Sequence, residues 1–426
     1  MQSDAAQEFE KKMLACVHCG FCLTACPTYQ QVGDEADSPR GRIYLMRAAH
    51  EGRLQWDDAA VETHLDRCLG CRACEPVCPS GVEYGWLLER ARDQIAKQTG
   101  TSFSARALLV AFGNRNLSRV ASAFSRVARA SRVPGFLARA LPRGLGRLKF
   151  ANAMLAASSP HEHSSVRSQV AGENPAAIKV ALLLGCVQEG LFARVNRATE
   201  EVLRVNGCEV VPVKKQACCG ALHAHSGDLD GARARARHNI AAFEAVDAQY
   251  IIVNAAGCGA VMKEYGELLA HDPEWVERAR VFTAKVRDVS EFLNSLQLVR
   301  GAPLDQQITY DAPCHLLHAQ RITTAPLDVL RQVIPDVKLV PLPGSEDCCG
   351  GAGIYGLLHQ DLGGRILRDK IEAVTSTGAD VVTTPNPGCM MQIGAGLIMH
   401  GSDMVVTHPV ELLATSYRKA GLLTDG

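Results

Sequence analysis

The sequence predicts a multidomain protein, an α-helical domain followed by two homologous α/β cysteine-rich half-domains, on three observations. Two runs of four cysteines share one register, Cys16-x2-Cys19-x2-Cys22-x3-Cys26-Pro27 and Cys68-x2-Cys71-x2-Cys74-x3-Cys78-Pro79. The residues between and after these runs carry helical periodicity, not the alternation of strands. From residue 177 onward the chain repeats a strand-then-cysteine pattern at a nearly constant offset, which marks a tandem duplication. A chain of 426 residues has room for several such cores.

Composition narrows the function. Apolar residues make up 47% of the chain, as in a folded protein, and Lys+Arg and Asp+Glu both number 45, which removes any global argument for nucleic acid. The segment Met1–Cys16 is charged and helical and lacks the apolar stretch of an export signal, so a cytoplasmic protein is expected. In that reducing compartment, 17 cysteines grouped this way read as metal ligands or redox groups sooner than disulfides. No apolar run approaches the eighteen or so residues that cross a bilayer, so any membrane contact is expected to be peripheral.

The first domain, residues 1–100, follows from its cysteines. The 2-2-3 spacing closed by proline matches a two-cluster bacterial-type ferredoxin, in which three close thiolates grip one [4Fe–4S] cube and the fourth reaches the other. This assigns Cys16, Cys19, Cys22 and Cys78 to one cluster and Cys68, Cys71, Cys74 and Cys26 to the second. Zinc modules, the main rival, show paired Cys-x-x-Cys instead. The long stretch between Cys26 and Cys68 holds helical patterns over Gly41–Glu51 and Asp57–Arg67, and a third covers Trp86–Lys97. The prediction is therefore an α-helical ferredoxin domain with two [4Fe–4S] clusters.

Residues 101–176 form a basic helical segment and linker. Thr101–Pro160 contains ten Lys/Arg and no Asp or Glu. Within it Leu117, Val120, Phe124 and Val127 fall on one helical face, with Arg115, Arg119, Arg126 and Arg129 opposite. Such a helix suits an anionic membrane surface or an acidic partner, or it docks on its own protein. Pro134, Pro142, Gly144 and Gly146 are expected to break the pattern, and Ala156–Pro175 reads as a linker.

The half-domains span 177–300 and 301–426. Apolar runs Ile178–Leu184, Glu209–Val213 and Tyr250–Val253 precede Cys186, Cys218-Cys219-Gly220 and Cys258. The same order returns as Ile308–Tyr310, Val337–Val340 and Val381–Thr384 before Cys314, Cys348-Cys349-Gly350 and Cys389. The interval from Cys186 to Cys314 nearly equals those from Cys218 to Cys348 and from Cys258 to Cys389, so the two copies differ by few insertions. Helical patterns at Gly231–Val246 and Asp361–Ser376 between strands predict parallel sheets, and cysteines just after strands collect at the carboxyl edge of such sheets. Each half thus offers four thiolates to a cubane, a smaller cluster or zinc, with buried structural thiols as the alternative. His223, His225, His315 and His318 are expected to line these sites as polar residues. Gly351-Ala352-Gly353-Ile354-Tyr355-Gly356 fits a dinucleotide fingerprint, but Cys348-Cys349-Gly350 stands where its strand must be, which argues against nucleotide binding. Neither a catalytic triad nor a flavin site is evident, so no catalytic residue is assigned and the chain is expected to relay electrons for a partner that holds the substrate.

The spacings of the duplicated region resemble the Cys-Cys-Gly domain of heterodisulfide reductase subunits, which ends in Cys-x-x-Cys. Val261 and Gln392 stand where that last cysteine belongs, which argues against disulfide chemistry. The whole chain resembles the iron–sulfur subunit of glycolate oxidase (glycolate dehydrogenase). The resemblance rests on Ala15-Cys16-Val17-His18-Cys19-Gly20-Phe21-Cys22, Cys26-Pro27-Thr28-Tyr29, Pro39-Arg40-Gly41-Arg42-Ile43-Tyr44-Leu45, His64-Leu65-Asp66-Arg67-Cys68-Leu69, Gly257-Cys258-Gly259-Ala260 and Lys263-Glu264-Tyr265-Gly266. It implies FAD-binding flavoprotein partners that oxidise glycolate to glyoxylate, with electrons passing through this chain to a quinone or another acceptor. With no export segment and the basic stretch Thr101–Phe150, the expected place is the cytoplasm or the cytoplasmic face of the inner membrane, the basic stretch attaching the complex to that surface or to the flavoprotein. Equivalent subunits of lactate or glycerol-3-phosphate dehydrogenases, and a heterodisulfide-reductase-like catalytic subunit, are the alternatives. Arg40 and Arg42 are expected to hydrogen-bond cluster sulfurs, to meet a partner, or to hold their own helix in place.

Overall fold

A computed structural model of the chain describes residues 3–100, 103–113, 115–142, 146–158, 177–353 and 355–423. The first domain is helical. Ser3–Leu14, Pro39–His50, Ala59–Asp66 and Tyr84–Thr99 bury Phe9, Met46, Leu65, Leu87 and Leu88 against one another. Pro39–His50 begins ahead of the predicted Gly41 because Ser38 caps it, its hydroxyl accepting from the Gly41 amide at 3.0 Å, and Pro39 occupies the first turn. The helices leave the two cysteine loops on the same side of this core. Residues two and four places after the first cysteine are left-handed in both loops, His18 and Gly20 in one, Gly70 and Arg72 in the other. A repeated αL residue reverses the chain tightly enough to bring three thiols inward.

The basic segment folds into Phe103–Gly113, Arg115–Ala130, Val133–Ala140 and Gly146–Ala157. Pro134 and Gly146 therefore open helices where breaks were predicted. Pro134 lies in a first turn, where its missing N–H breaks no hydrogen bond. Most of the predicted linker lies outside the described residues.

Two parallel sheets follow. The first orders its strands β2-β1-β3-β4, where β1 is Ile178–Leu182, β2 Cys208–Val211, β3 Tyr250–Val253 and β4 Val286–Asp288. The second repeats that order as β6-β5-β7-β8, where β5 is Gln307–Tyr310, β6 Lys338–Val340, β7 Val381–Thr383 and β8 Val405–Thr407. Six strands sit where the sequence put them, with only their ends shifted. The outer strands β4 and β8 were not foreseen, because such short strands with polar members carry no period. Each runs straight into a helix with a capping box, Asp288 with Glu291 in the first half and His408 with Glu411 in the second.

The halves share one core, in which Val180 and Ile252 meet Ile308, Leu330 and Leu413. Helix Pro409–Lys419 of the second half lies on Ala193–Val205 of the first, and the Asn206 amide donates to the Tyr417 hydroxyl at 3.0 Å. At the sheet edges the Ala256 amide donates to the Pro385 carbonyl at 3.1 Å, and His408 Nε2 donates to the Asn254 carbonyl at 3.0 Å. The ends of β3 and β7, each followed by a cysteine helix, are thereby held face to face.

Candidate metal centres

Cys16, Cys19, Cys22 and Cys78 line one cavity at the surface of the helical domain, with Arg40, Val82, Tyr84 and Cys74 completing its wall. Cys19 is exposed and the other three are half-buried. The second set, Cys26, Cys68, Cys71 and Cys74, is buried throughout. Burial raises the Cys74 thiol, and the nearby charges of Cys71, Cys68 and Cys26 raise it further. The fold thus brings together the two groups of four that the register predicts, a shallow outer set and a deep inner one. Each draws its fourth cysteine from the other run.

The inner set has its own cations. Arg42 is fully buried, pairs with Asp37 at 3.1 Å, donates to Thr28 Oγ1 at 3.0 Å and reaches Cys26 Sγ at 3.9 Å. Burial alone would push the Cys68 thiol up, but Arg42 and Arg92, the Gly70 amide and the Tyr84 hydroxyl at 3.6 Å together bring it below the usual thiol value. A deep group of four thiols with buried cations and N–H donors fits a dianionic thiolate-ligated cluster, whose excess negative charge needs such neighbours. Arg40 has a different job: it pairs with Glu35 at 2.6 Å and donates to the His18 carbonyl at 3.2 Å, bracing the outer loop. Arg92 carried no sequence signal. Its guanidinium gathers the carbonyls of Leu65, Cys68 and His225, tying the inner loop to the first half-domain.

In the half-domains each cysteine follows a strand as predicted, and the thiols of each half touch in sequence. Cys186 lies 3.4 Å from Cys218, and Cys219 is within hydrogen-bonding reach of both Cys218 and Cys258. In the second half Cys349 lies 3.5 Å from Cys389, and Cys348 is within reach of Cys314 and Cys349. Hydrogen bonds from neighbouring thiols hold Cys218 and Cys349 well below the ordinary thiol value and push their partners up. Gly220 and Gly350 turn left-handed directly after the two cysteine pairs, and a Cβ on Gly350 would sit 2.6 Å from the Gly363 carbonyl. Among the described residues, only Asp34, Asp37 and His64 place three ligand atoms within 4.8 Å of one another. The thiols of each half therefore form a row. A closed tetrahedral zinc site needs all four sulfurs within about 3.8 Å of one another at a Zn–S length of about 2.3 Å. The four thiols of each half are not gathered into that tetrahedron. Three of the four histidines are engaged elsewhere, His223 with Asp228 at 2.7 Å, His225 with Glu89 at 2.9 Å and His315 with the Gly70 carbonyl at 3.0 Å.

The basic segment docks through its arginine face, not its apolar one. Arg129 is buried and donates to the Ser158 and Leu191 carbonyls, and Arg126 reaches the Glu189 carbonyl. The apolar stripe faces outward, with Val120 68%, Phe124 74% and Val127 71% exposed. Phe136 is exposed beside it and lines an open groove with Arg132 and Arg139. No helix among the described residues is long and apolar enough to cross a membrane.

Residues 12–82 match the family model described as a 4Fe-4S dicluster domain, and residues 180–263 and 308–394 each match the cysteine-rich domain. A crystal structure of a hypothetical protein from Helicobacter pylori superposes with TM-score 0.53 at 10% identity, over 99% of this chain and 75% of that one, a likeness of fold alone. Lactate utilization protein A of Shouchella clausii is 32% identical over 55% of this chain and 98% of its own length. The glycolate oxidase iron-sulfur subunit of Escherichia coli (strain K12) is 35% identical, covering 98% of this chain and 97% of the relative. The probable glycolate oxidase iron-sulfur subunit of Bacillus subtilis (strain 168) is 39% identical, covering 92% and 90%. With a dicluster domain, a duplicated cysteine-rich domain and this identity along nearly its whole length, the chain belongs to the family of glycolate oxidase iron–sulfur subunits.

Proposed function

We propose that this chain is the electron-transfer subunit of a glycolate dehydrogenase complex. A flavoprotein partner holds FAD and oxidises glycolate to glyoxylate, and this chain passes the electrons on to a quinone or another acceptor. The observation that carries the reading is the pair of four-thiol groups at graded depth in a chain of this family. Cys16, Cys19, Cys22 and Cys78 hold the outer [4Fe–4S] cluster, and Cys26, Cys68, Cys71 and Cys74 the inner one. When bound, the cubes supply one-electron oxidation and reduction, which matches a flavin that gives up two electrons singly. Arg42, Arg92 and Tyr84 balance the charge of the inner thiolates and keep water from them. The exposed Cys19 edge is where the flavoprotein comes closest.

The outward apolar stripe of Arg115–Ala130, in a segment without acidic residues, supports peripheral attachment to an anionic membrane at the cytoplasmic face. The similarity of 238 residues to lactate utilization protein A keeps lactate as the second substrate to try.

The test is anaerobic purification of the complex, identification of its subunits, and assay of quinone-analogue reduction with glycolate and with lactate. A copurifying flavoprotein, at least the roughly eight irons per chain of two cubes and glycolate-dependent reduction are expected. Zinc in place of iron, or no flavoprotein and no glycolate activity, would end the reading.

A further inference from the structure

The two half-domains carry the same cysteines, but they do not have the same neighbours. Around the inner cysteine loop, Leu69, Cys71, Tyr355, Leu362 and Ile366 are buried in one apolar group, and Cys314 and Cys348 of the second half pack against it. Cys71 and Cys314 lie close enough for their charges to act on each other. The junction is pinned from both sides: the Tyr355 hydroxyl donates to the Arg67 carbonyl at 2.8 Å, and His315 Nε2 donates to the Gly70 carbonyl at 3.0 Å. Around the first half's thiols the buried group contains, among the described residues, no residue of the helical domain. The first half meets that domain through polar contacts instead, Arg72 with Glu264 and His225 with Glu89.

A second difference is independent of the first. In the second half Lys370 and Asp311, both about 2% exposed or less, pair at 2.9 Å, and the Lys370 ammonium also donates to the Gly344 carbonyl at 2.7 Å. The pair sits within electrostatic range of Cys349. Aligning Cys186 with Cys314 puts Leu183 at the place of Asp311. Aligning the starts of helices Leu229–Glu244 and Gln360–Ser376 puts Asn239 at the place of Lys370. Both first-half residues are buried and neither is charged. A buried ion pair recovers little net stability over apolar packing, so its presence on one side only calls for a reason in the site beside it. A fixed cation next to thiolates opposes the negative charge they bring to a metal and favours the reduced state of that metal.

We infer that the second half, and not the first, continues the electron path beyond the inner cluster. Cys314, Cys348, Cys349 and Cys389 form a thiolate-bound iron site against Cys71, and Lys370 is the positioning cation that sets its charge. One electron leaves the inner cluster as this iron site is reduced, and the site is reoxidised by the acceptor of the complex. The inference rests on the electron-transfer reading and extends it to one half of the duplication.

The test uses the full complex, purified without oxygen, with three changes made separately: Cys314→Ser, Cys186→Ser, and the double change Asp311→Leu with Lys370→Asn, which installs the first half's pair. Iron per chain and low-temperature electron paramagnetic resonance are read during a redox titration. Cys314→Ser is expected to remove a reducible iron signal beyond the two cubes and to alter the inner cluster's spectrum, while Cys186→Ser changes neither. The double change is expected to keep the iron and shift the midpoint of the extra signal, since the Lys370 cation acts on Cys349 and the Asp311 carboxylate on Cys389. Equal effects of Cys314→Ser and Cys186→Ser, no reducible iron beyond the cubes, or an unmoved midpoint would each overturn the inference. Glycolate reduction of the two cubes, followed in the same samples, separates this outcome from failure of the electron-transfer reading, in which the cubes themselves stay oxidised.

Discussion

The first and second cysteine-rich halves began as one sequence, and comparing them separates what duplication preserves from what position imposes. Strand order, the left-handed glycine after the cysteine pair and the row of touching thiols are common to both. Of these only the glycine is local, because strand order and the thiol row join segments that follow different strands of one half. The differences lie in what surrounds those features. Only the second half packs its first thiol against the inner cysteine loop, only it buries a Lys–Asp pair beside the site, and it caps its last helix with histidine where the first uses aspartate. Two copies of one fold meet a third domain through different contacts, so identical ligands acquire different surroundings.

The sharpest way to break the comparison is at the residue that touches both regions. Cys71→Ser is expected to cost the inner cluster, roughly half of the cube iron, whereas Cys186→Ser leaves the cube iron intact. Iron and acid-labile sulfide per chain decide it, and retention of full cube iron in Cys71→Ser would remove that cysteine from the ligand set. Next in size is the charge pair. Lys370→Met leaves Asp311 buried without its partner and should cost about 3–5 kcal/mol, while Asp311→Leu with Lys370→Asn should cost far less because no charge is stranded. Denaturant midpoints of the two variants measure the gap. Equal losses would mean that the pair is ordinary packing.

The helix caps sharpen the comparison through pH. His408 is buried, donates from Nε2 to the Asn254 carbonyl and accepts the Val410 amide at Nδ1, so burial holds its pKa down to about 3. The unfolded chain takes up a proton near pH 6.5 and the folded chain does not, so stability is complete above that pH and drains away as pH falls. Between pH 6.5 and 5 the loss is about 2 kcal/mol. The first half responds in the opposite sense. Burial raises Asp288 to about 6, so the folded chain holds a proton that the unfolded chain releases near pH 4, and this contribution fades as pH rises from about 4 to 6. His408→Asn keeps a capping side chain and should flatten the acid limb of the melting temperature against pH. An unchanged limb would show that this histidine charges freely.

The smallest effect concerns the basic helix. Phe124→Asp with Val127→Asp should release the complex from anionic vesicles, at a cost to folding of only a few tenths of a kcal/mol because both side chains are exposed. Arg126→Glu should release less, since that arginine turns toward the Glu189 carbonyl. Sedimentation with vesicles ranks the two, and the reverse order would assign attachment to charge.

Much of the site was legible before any coordinates. The ligand groups around Cys16 and Cys68 are set by spacing along a short length of chain, and that spacing survives folding unchanged. The duplication was legible too, because its landmarks recur at nearly one offset. The outer strands β4 and β8 were not, being too short to carry a period, and Pro134 opens a helix where a break is expected because proline signals both. Lys370 and Arg92 look like ordinary surface charges on amphipathic helices, and nothing near them in the chain marks the partners that bury them.

The amino-acid order alone determined which cysteines group together, that the second part of the chain is a repeat, and which family it belongs to, because each of these is a pattern among near neighbours or at a fixed interval. Tertiary structure decided which ligand group lies deep, which half touches it and which way the apolar stripe points. Those outcomes depend on residues such as Cys71 and Cys314, far apart in the chain and brought together by the burial of surfaces that no local pattern describes.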